Sequence, residues 1–377
     1  MLKLNLPLYG VCDAGDYWDV TMCAHIEGDL CMVPLPSDPA LYVKWLAYEK
    51  LSGLLGAYVD DRLMGGYDAF SVLTHKTLKH FQGKPRMLDN AEFVGVHITT
   101  VSGTRPHFAM DQHAYVDQLE RLPADAPFPA FLSARACMAW LAHTRPDLCC
   151  SINLAAEVTE SMYDSAAVRR LNALMGRAHK GRDLTLTYPT LDVACLRVRA
   201  YADASYATNK DGSSQVGFLV LLCDGTGEAH ILSYTSRKSR RVVHSIIAGE
   251  VYAFTAAFDE AFVIRYDLER LYGRRIPLNM FTDSNQLFDV VTKASHPTEK
   301  RLLIDIAAAF QAYNRQDMSN VGLIASDNNI ADALSKVHGY VALNALLWTG
   351  VERTPVVQWV IRPALDPSCV TMGKVAV

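Results

Sequence analysis

The chain has 377 residues, half of them apolar and 20% charged, with a formal net charge of −4. That balance fits a globular protein with two or three cores and excludes a fibrous, disordered or broadly basic polypeptide. Local positive patches are still enough for nucleic-acid binding. Nothing near Met1 reads as a signal peptide, and no apolar run is long enough to span a membrane. The nine cysteines lack the paired spacing of a tetrahedral metal site, so a reduced, intracellular chain is expected, with cytoplasm and nucleus left open.

Taken in chain order, Leu54-Leu55-Gly56-Ala57-Tyr58-Val59 is apolar strand material interrupted by Asp60-Asp61, and Leu63-Met64-Gly65-Gly66 lets the chain leave. Two adjacent acids at a tight turn cannot both face an apolar core. They are exposed or they bind cations, with a plain polar hairpin turn as the alternative. A helix is expected around Ala69 to Phe81. Residues 112–180 read as helical, with Phe131 to His143 and Ala166 to His179 as helices and Arg177 to Arg182 as a basic helix end and linker.

A strand-rich stretch begins near Leu184. Cys195 to Tyr201 alternates imperfectly and reads as a strand ending at Asp203. Gly217 to Cys223 and His230 to Tyr234, joined through Asp224-Gly225, read as a hairpin. From Ser245 to Tyr266, Ile246, Ile247, Val251, Phe254, Phe258 and Phe262 recur at helical spacing, and Glu250 lies one turn from Ile246 and from Phe254. A carboxylate near that apolar face is costly unless it is paired or binds metal. Ile276 to Thr282 reads as a further strand leading into Asp283, with a helix from Gln286 to Lys293 behind it; Asp283 could equally be that helix's cap. A later strand and an Asp332-bearing helix follow, and Asp327 reads as a turn former before that helix. Four acids from separate elements, Asp203, Glu250, Asp283 and Asp332, would hold two divalent cations if delivered to one place, which suits phosphodiester cleavage. Arg237-Lys238-Ser239-Arg240-Arg241 is the best candidate for a phosphate-contacting patch, with a solvated basic loop as the alternative.

The ordered motifs Tyr201-Ala202-Asp203-Ala204, Ser233 to Ser239, Ala248-Gly249-Glu250-Val251, Phe281-Thr282-Asp283-Ser284 and Asn329 to Lys336 resemble the ribonuclease H domain of copia-type retrotransposon polyproteins. Further matches run towards the amino terminus. Leu8-Tyr9-Gly10 with Trp18 resembles the segment before the reverse-transcriptase palm hairpin, and Tyr58-Val59-Asp60-Asp61 resembles the hairpin itself. Phe93 to Ile98 is similar to the primer-contacting strand, and Thr144-Arg145-Pro146-Asp147-Leu148 to a helix-end motif of the connecting segment.

The resemblance implies an α/β and α+β chain. Its parts would be a truncated palm with fingers absent (1–100), a helical thumb or connection (101–194), a ribonuclease H-like mixed-sheet domain (195–340) and an unassigned extension (341–377). Only seven residues precede the segment matched from Leu8, and Asp13 and Asp16 stand where the group carries basic and amide residues. Autonomous DNA synthesis is therefore not expected, and Asp60 and Asp61 are read as a polymerase remnant. The implied activity is cleavage of RNA in an RNA–DNA hybrid with two Mg²⁺, or Mn²⁺ in their place, held by Asp203, Glu250, Asp283 and Asp332. Arg237, Lys238, Arg240 and Arg241 would contact nucleic acid, and other polyprotein parts are candidate partners; oligomeric state is not readable. The mobile histidine that some ribonucleases H place before the last acid has no counterpart between His296 and His338. The alternative is a non-catalytic nucleic-acid or protein binding remnant.

Overall fold

The computed structural model describes residues 14–46, 50–84, 86–209, 211–293, 299–338 and 341–360. Leu8-Tyr9-Gly10, Asp13, His296 and the prolines Pro363 and Pro367 lie outside the described residues. Helix α1 (Ala14–Cys23) leads into an antiparallel sheet of β1 (Val33–Leu35), β2 (Asp38–Trp45), β3 (Leu51–Tyr58) and β4 (Asp61–Gly66), followed by helix α2 (Ser71–Phe81). Met22, Ile26, Leu30, Tyr42, Leu55 and Phe70 form its core. The expected Asp60-Asp61 hairpin is the β3–β4 turn, and both acids are exposed there.

A second antiparallel sheet joins β5 (Asn90–Phe93), β6 (Val96–Val101), β7 (His107–Asp111) and the distant β8 (Leu186–Pro189). This sheet crosses the boundary expected at residue 100, because β6 spans it and pairs with β5 before it and β7 after it, and β8 returns after the helices to extend the sheet. Those helices are α3 (His113–Val116), α4 (Phe128–Trp140), α5 (Cys149–Ala156) and α6 (Ser165–Lys180), and α4, α5 and α6 share one apolar core. Helix α6 starts where Asp164 accepts the Ala167 N–H at 2.7 Å, and its last turn carries the Arg177 and Lys180 charges that suit a helix C-terminus. The Thr144 to Leu148 motif is buried. Arg145 makes a two-pronged ion pair with Asp147 (2.8 Å on each prong) and donates to the Ala178 and Gly181 carbonyls.

The third sheet is mixed and flanked by helices, with six strands in the order β11-β10-β9-β12-β13-β14. Strands β9 (Arg197–Ser205), β10 (Gln215–Cys223) and β11 (Ala229–Lys238) are antiparallel neighbours, the expected hairpin among them. Helix α7 (Ile246–Tyr272) crosses one face, capped by the Ser245 hydroxyl and closed by Gly273 in the left-handed region. Strand β12 (Leu278–Thr282) then runs parallel to β9. Helix α8 (Asn285–Lys293), helix α9 (Leu303–Asn314), strand β13 (Asn320–Ile324) and the single-turn helix α10 (Asp332–Ser335) follow. All nine residues of β10 are buried, as befits a central strand covered on both faces.

Helices α7, α8 and α9 cover one face, packing Phe254, Ala257, Phe288 and Ile306 on Val198, Ala200, Phe218 and Val220. On the other face α10 and α11 (Val341–Thr349) bury Leu334, Leu343 and Leu347 against Tyr201, Leu219 and Phe281, together with Leu184 and Leu186 from around β8. The segment after residue 340, unassigned from sequence, supplies α11 and the edge strand β14 (Val356–Trp359), which pairs antiparallel with β13. Its Glu352 is buried and takes hydrogen bonds from Arg199 and, at 2.8 Å, from the Tyr201 hydroxyl.

Candidate metal centre

Strand β9 does not stop at Asp203 but continues to Ser205, paired throughout with β10. Asp203 therefore sits inside a sheet, 1% exposed, two residues from Tyr201 and on the same face. Its partner across the ladder is Gly217. A Cβ on Gly217 would lie 2.6 Å from the Leu334 Cβ, so glycine lets α10 lie directly on the strand. That approach brings Asp332, Ser335 and Lys336 against Asp203. From the opposite face, α7 comes close at Gly249, where a Cβ would be 3.2 Å from the Ala204 Cβ, and the next residue is Glu250. Asp283 enters from the end of β12, beside β9.

Carboxylate oxygens of Asp203, Asp283 and Asp332 lie within 4.8 Å of one another, and Glu250 stands outside that triangle. Asp203 accepts a hydrogen bond from the Ser335 hydroxyl and one from the Lys336 ammonium at 3.2 Å. The same ammonium is 2.9 Å from Asp332 Oδ1. Asn329 donates to Asp283 Oδ1 at 3.3 Å and to the Ala202 carbonyl at 3.1 Å, tying β12's end to β9. Asp283 is not the cap of α8. That role falls to Ser284, whose hydroxyl accepts the Leu287 N–H at 3.3 Å.

The electrostatics follow from the clustering of these acids, with Asp203 and Glu250 buried and Asp332 half-buried. Burial, then the charges of Asp203 and Asp283, push the Glu250 carboxyl up to about 9. Its Oε2 is buried without a hydrogen-bond partner among the described residues. Burial and then Asp203 raise Asp332 to about 7. Asp203 is also raised, by burial first, against the pull of Lys336 and Ser335. Lys336 is itself lowered by burial, but its acidic neighbours outweigh this and raise it. An all-oxygen set carrying excess negative charge, with one oxygen left unpartnered, fits a hard divalent cation such as Mg²⁺.

The four acids are expected from the sequence, whereas Asn329, Ser335 and Lys336 are not, although all three lie within the Asn329 to Lys336 motif. The spacing of Asp332 to Lys336, four residues with the acid first, is the signal that was available. A second group able to offer ligand atoms within 4.8 Å of one another is His25, Asp29 and His80, in the amino-terminal part. There the His25 Nδ1 is hydrogen-bonded to Asp29 at 2.9 Å, and its ring stacks on His80 at 4.1 Å.

The basic segment divides. Arg237 and Lys238 end β11, and Arg240 and Arg241 follow it. Lys238 pairs with Asp211, and Arg241 grips both Asp305 oxygens at 2.9 Å while lying over the Tyr252 ring. Arg237, Arg240 and Arg241 line a groove between β11 and α7 that also contains Tyr252, Asp259 and Glu260. In the amino-terminal sheet, Asp61 accepts the Val94 N–H at 3.1 Å, and the Trp18 indole donates to the Val59 carbonyl beside Asp60.

No family model matches the chain, and no curated protein does. Among solved structures, it is similar to ribonuclease H1 from the archaeon Halobacterium salinarum, with 20% identity over 40% of this chain and 98% of that one, at a TM-score of 0.29. A ribonuclease H1 isolated from compost and solved with an RNA/DNA hybrid gives 16% identity over 37% and 93%, at a TM-score of 0.28. The foamy viral protease-reverse transcriptase in complex with RNA/DNA hybrid gives 11% identity over 70% of this chain and 34% of that one, at a TM-score of 0.40. Among the described residues no helix is long and apolar enough to cross a membrane.

Proposed function

We propose that this chain is a divalent-metal-dependent nuclease that cleaves the RNA strand of an RNA–DNA hybrid. We further propose that it derives from the reverse transcriptase and ribonuclease H portion of a copia-type retroelement polyprotein. The observation that carries the first reading is the convergence of Asp203, Asp283 and Asp332 within 4.8 Å, beside a buried Glu250 with an unpartnered oxygen. The ordered motifs support the second.

Asp203, Glu250, Asp283 and Asp332 would hold the cations. Bound there, a pair of Mg²⁺ ions, or Mn²⁺ in their place, supplies activation of the attacking water and stabilisation of the leaving 3′ oxygen. The rest is the chain's own work. Ser335 orients the Asp203 carboxylate and Asn329 that of Asp283, so both acids are aimed before any ligand arrives. Arg237 and Arg240 offer charge to backbone phosphates beside the acids' sheet, whereas Lys238 and Arg241 must first leave internal partners. Asp60 and Asp61 remain a polymerase-type turn without an assigned activity in this chain.

The test is cleavage of an end-labelled RNA–DNA hybrid by the full chain, with Mg²⁺ and with chelator. Cuts confined to the RNA strand, dependent on Mg²⁺ and abolished in a folded Asp203→Asn variant, are expected. Equal cleavage by that variant would place the chemistry elsewhere. A non-catalytic remnant is the second reading, favoured by the Lys336 ammonium that already offsets two of the acids. Salt-sensitive hybrid binding without turnover would decide for it.

A further inference from the structure

The Lys336 ammonium lies 3.2 Å from both Asp203 oxygens and 2.9 Å from Asp332 Oδ1, in the wedge between two of the three converging acids. Mg²⁺ binds carboxylate oxygens at about 2.1 Å, so an ion shared by Asp203 and Asp332 needs the space this ammonium fills. Two positive charges so close would repel strongly in a partly buried site. The lysine follows α10 directly, and its side chain is 41% exposed, which leaves it a path into solvent. Asp203 does not depend on it for hydrogen bonding, because the Ser335 hydroxyl already donates to that carboxylate. Asp332, by contrast, would lose the one salt-bridge partner it has among the described residues.

We infer that Lys336 is a tethered counter-ion: it neutralises Asp203 and Asp332 in the metal-free protein and is displaced when a divalent cation binds. The inference rests on the metal-dependent reading above. It makes Lys336 a positioning residue that sets metal affinity, not a group that touches substrate. Two opposed effects follow from one substitution. Removing the ammonium leaves the acids to repel one another, so the metal-free protein loses stability. It also removes the competitor, so the cation binds more tightly.

The experiment is calorimetric titration of the full chain with MgCl₂, with thermal unfolding in chelator and in Mg²⁺, for the native protein, Lys336→Met and Lys336→Arg. Lys336→Met is expected to unfold at lower temperature in chelator and to bind Mg²⁺ about tenfold more tightly, so that its Mg²⁺-induced rise in Tm exceeds the native one. Lys336→Arg, which keeps the charge, should bind Mg²⁺ within a few-fold of the native protein. Native binding with unchanged or weaker affinity in Lys336→Met overturns the counter-ion role alone and makes the lysine a structural or metal-assisting group. No Mg²⁺ binding by the native protein overturns both this role and the metal-dependent reading. If Lys336→Met does not fold even with Mg²⁺, Lys336→Gln supplies the same comparison.

Discussion

Substituting Glu250 by Gln should flatten the pH dependence of stability in the metal-free protein. Glu250 is 7% exposed and its carboxyl is raised from 4.5 to about 9, chiefly by burial and then by Asp203 and Asp283. Below pH 4.5 the group is protonated in both folded and unfolded chains and contributes no slope. Between 4.5 and about 9 the fold keeps a proton that the unfolded chain has released, so stability falls as pH rises. At about 1.4 kcal/mol per unit, the loss from pH 5 to pH 8 is roughly 4 kcal/mol from this group alone. Glutamine keeps the shape and carries no charge. Urea unfolding of the full chain in chelator, followed by far-UV circular dichroism at pH 5, 6, 7 and 8, measures the slope. The native protein should lose stability steeply with pH, the variant by about one proton less per molecule, and saturating Mg²⁺ should oppose the loss in the native protein. A variant that titrates like the native chain would refute the reasoning, because the cost of ionising a buried carboxyl would then not reside at Glu250.

Two further outcomes follow from the packing. Gly217→Ala places a methyl 2.6 Å from the Leu334 Cβ, so α10 must shift; a stability loss of about 1–3 kcal/mol, with weaker Mg²⁺ binding by calorimetry, is expected, and undiminished Mg²⁺ affinity would show that α10's close approach does not align the acids. Asp147→Asn leaves the buried Arg145 charge uncompensated and should cost about 3–5 kcal/mol in urea unfolding, whereas the double change Arg145→Met, Asp147→Leu should cost less than the sum of the single changes.

Much of the third sheet was legible because its elements carry strong local signals. The apolar run of β10, the turn after Cys223 and the spaced apolar residues of α7 all act within a few residues of themselves. Where the deciding force comes from elsewhere in the chain, the local sequence carries no such signal. Asp203 looked like the end of β9 because aspartate is a poor strand residue, yet nine ladder pairs with β10 carry the strand past it. Helix α9 went unread because the run Ala307-Ala308-Ala309 among apolar neighbours shows no period, and its Ile304 is 82% exposed. The segment after residue 340 offered no motif. Its place depends on Glu352 meeting Arg199, 153 residues away, and on β14 finding β13.

The chain also contains a natural comparison between acids that look alike in sequence. Asp60-Asp61 and Asp203 each interrupt apolar strand material. The first pair sits at the tip of a two-strand turn, where water solvates both carboxylates and the fold is under no pressure to supply a cation. Asp203 differs because an element closes on its strand from each side, through Gly217 against α10 and through Gly249 against α7. Both close approaches are permitted by the absence of a side chain. The same two contacts that exclude water also deliver Asp332 and Glu250, so desolvation and acid clustering arise from one packing event. The burial and clustering of the acids thus depend on two glycines that carry no charge, and motif-matching of acids alone does not register them.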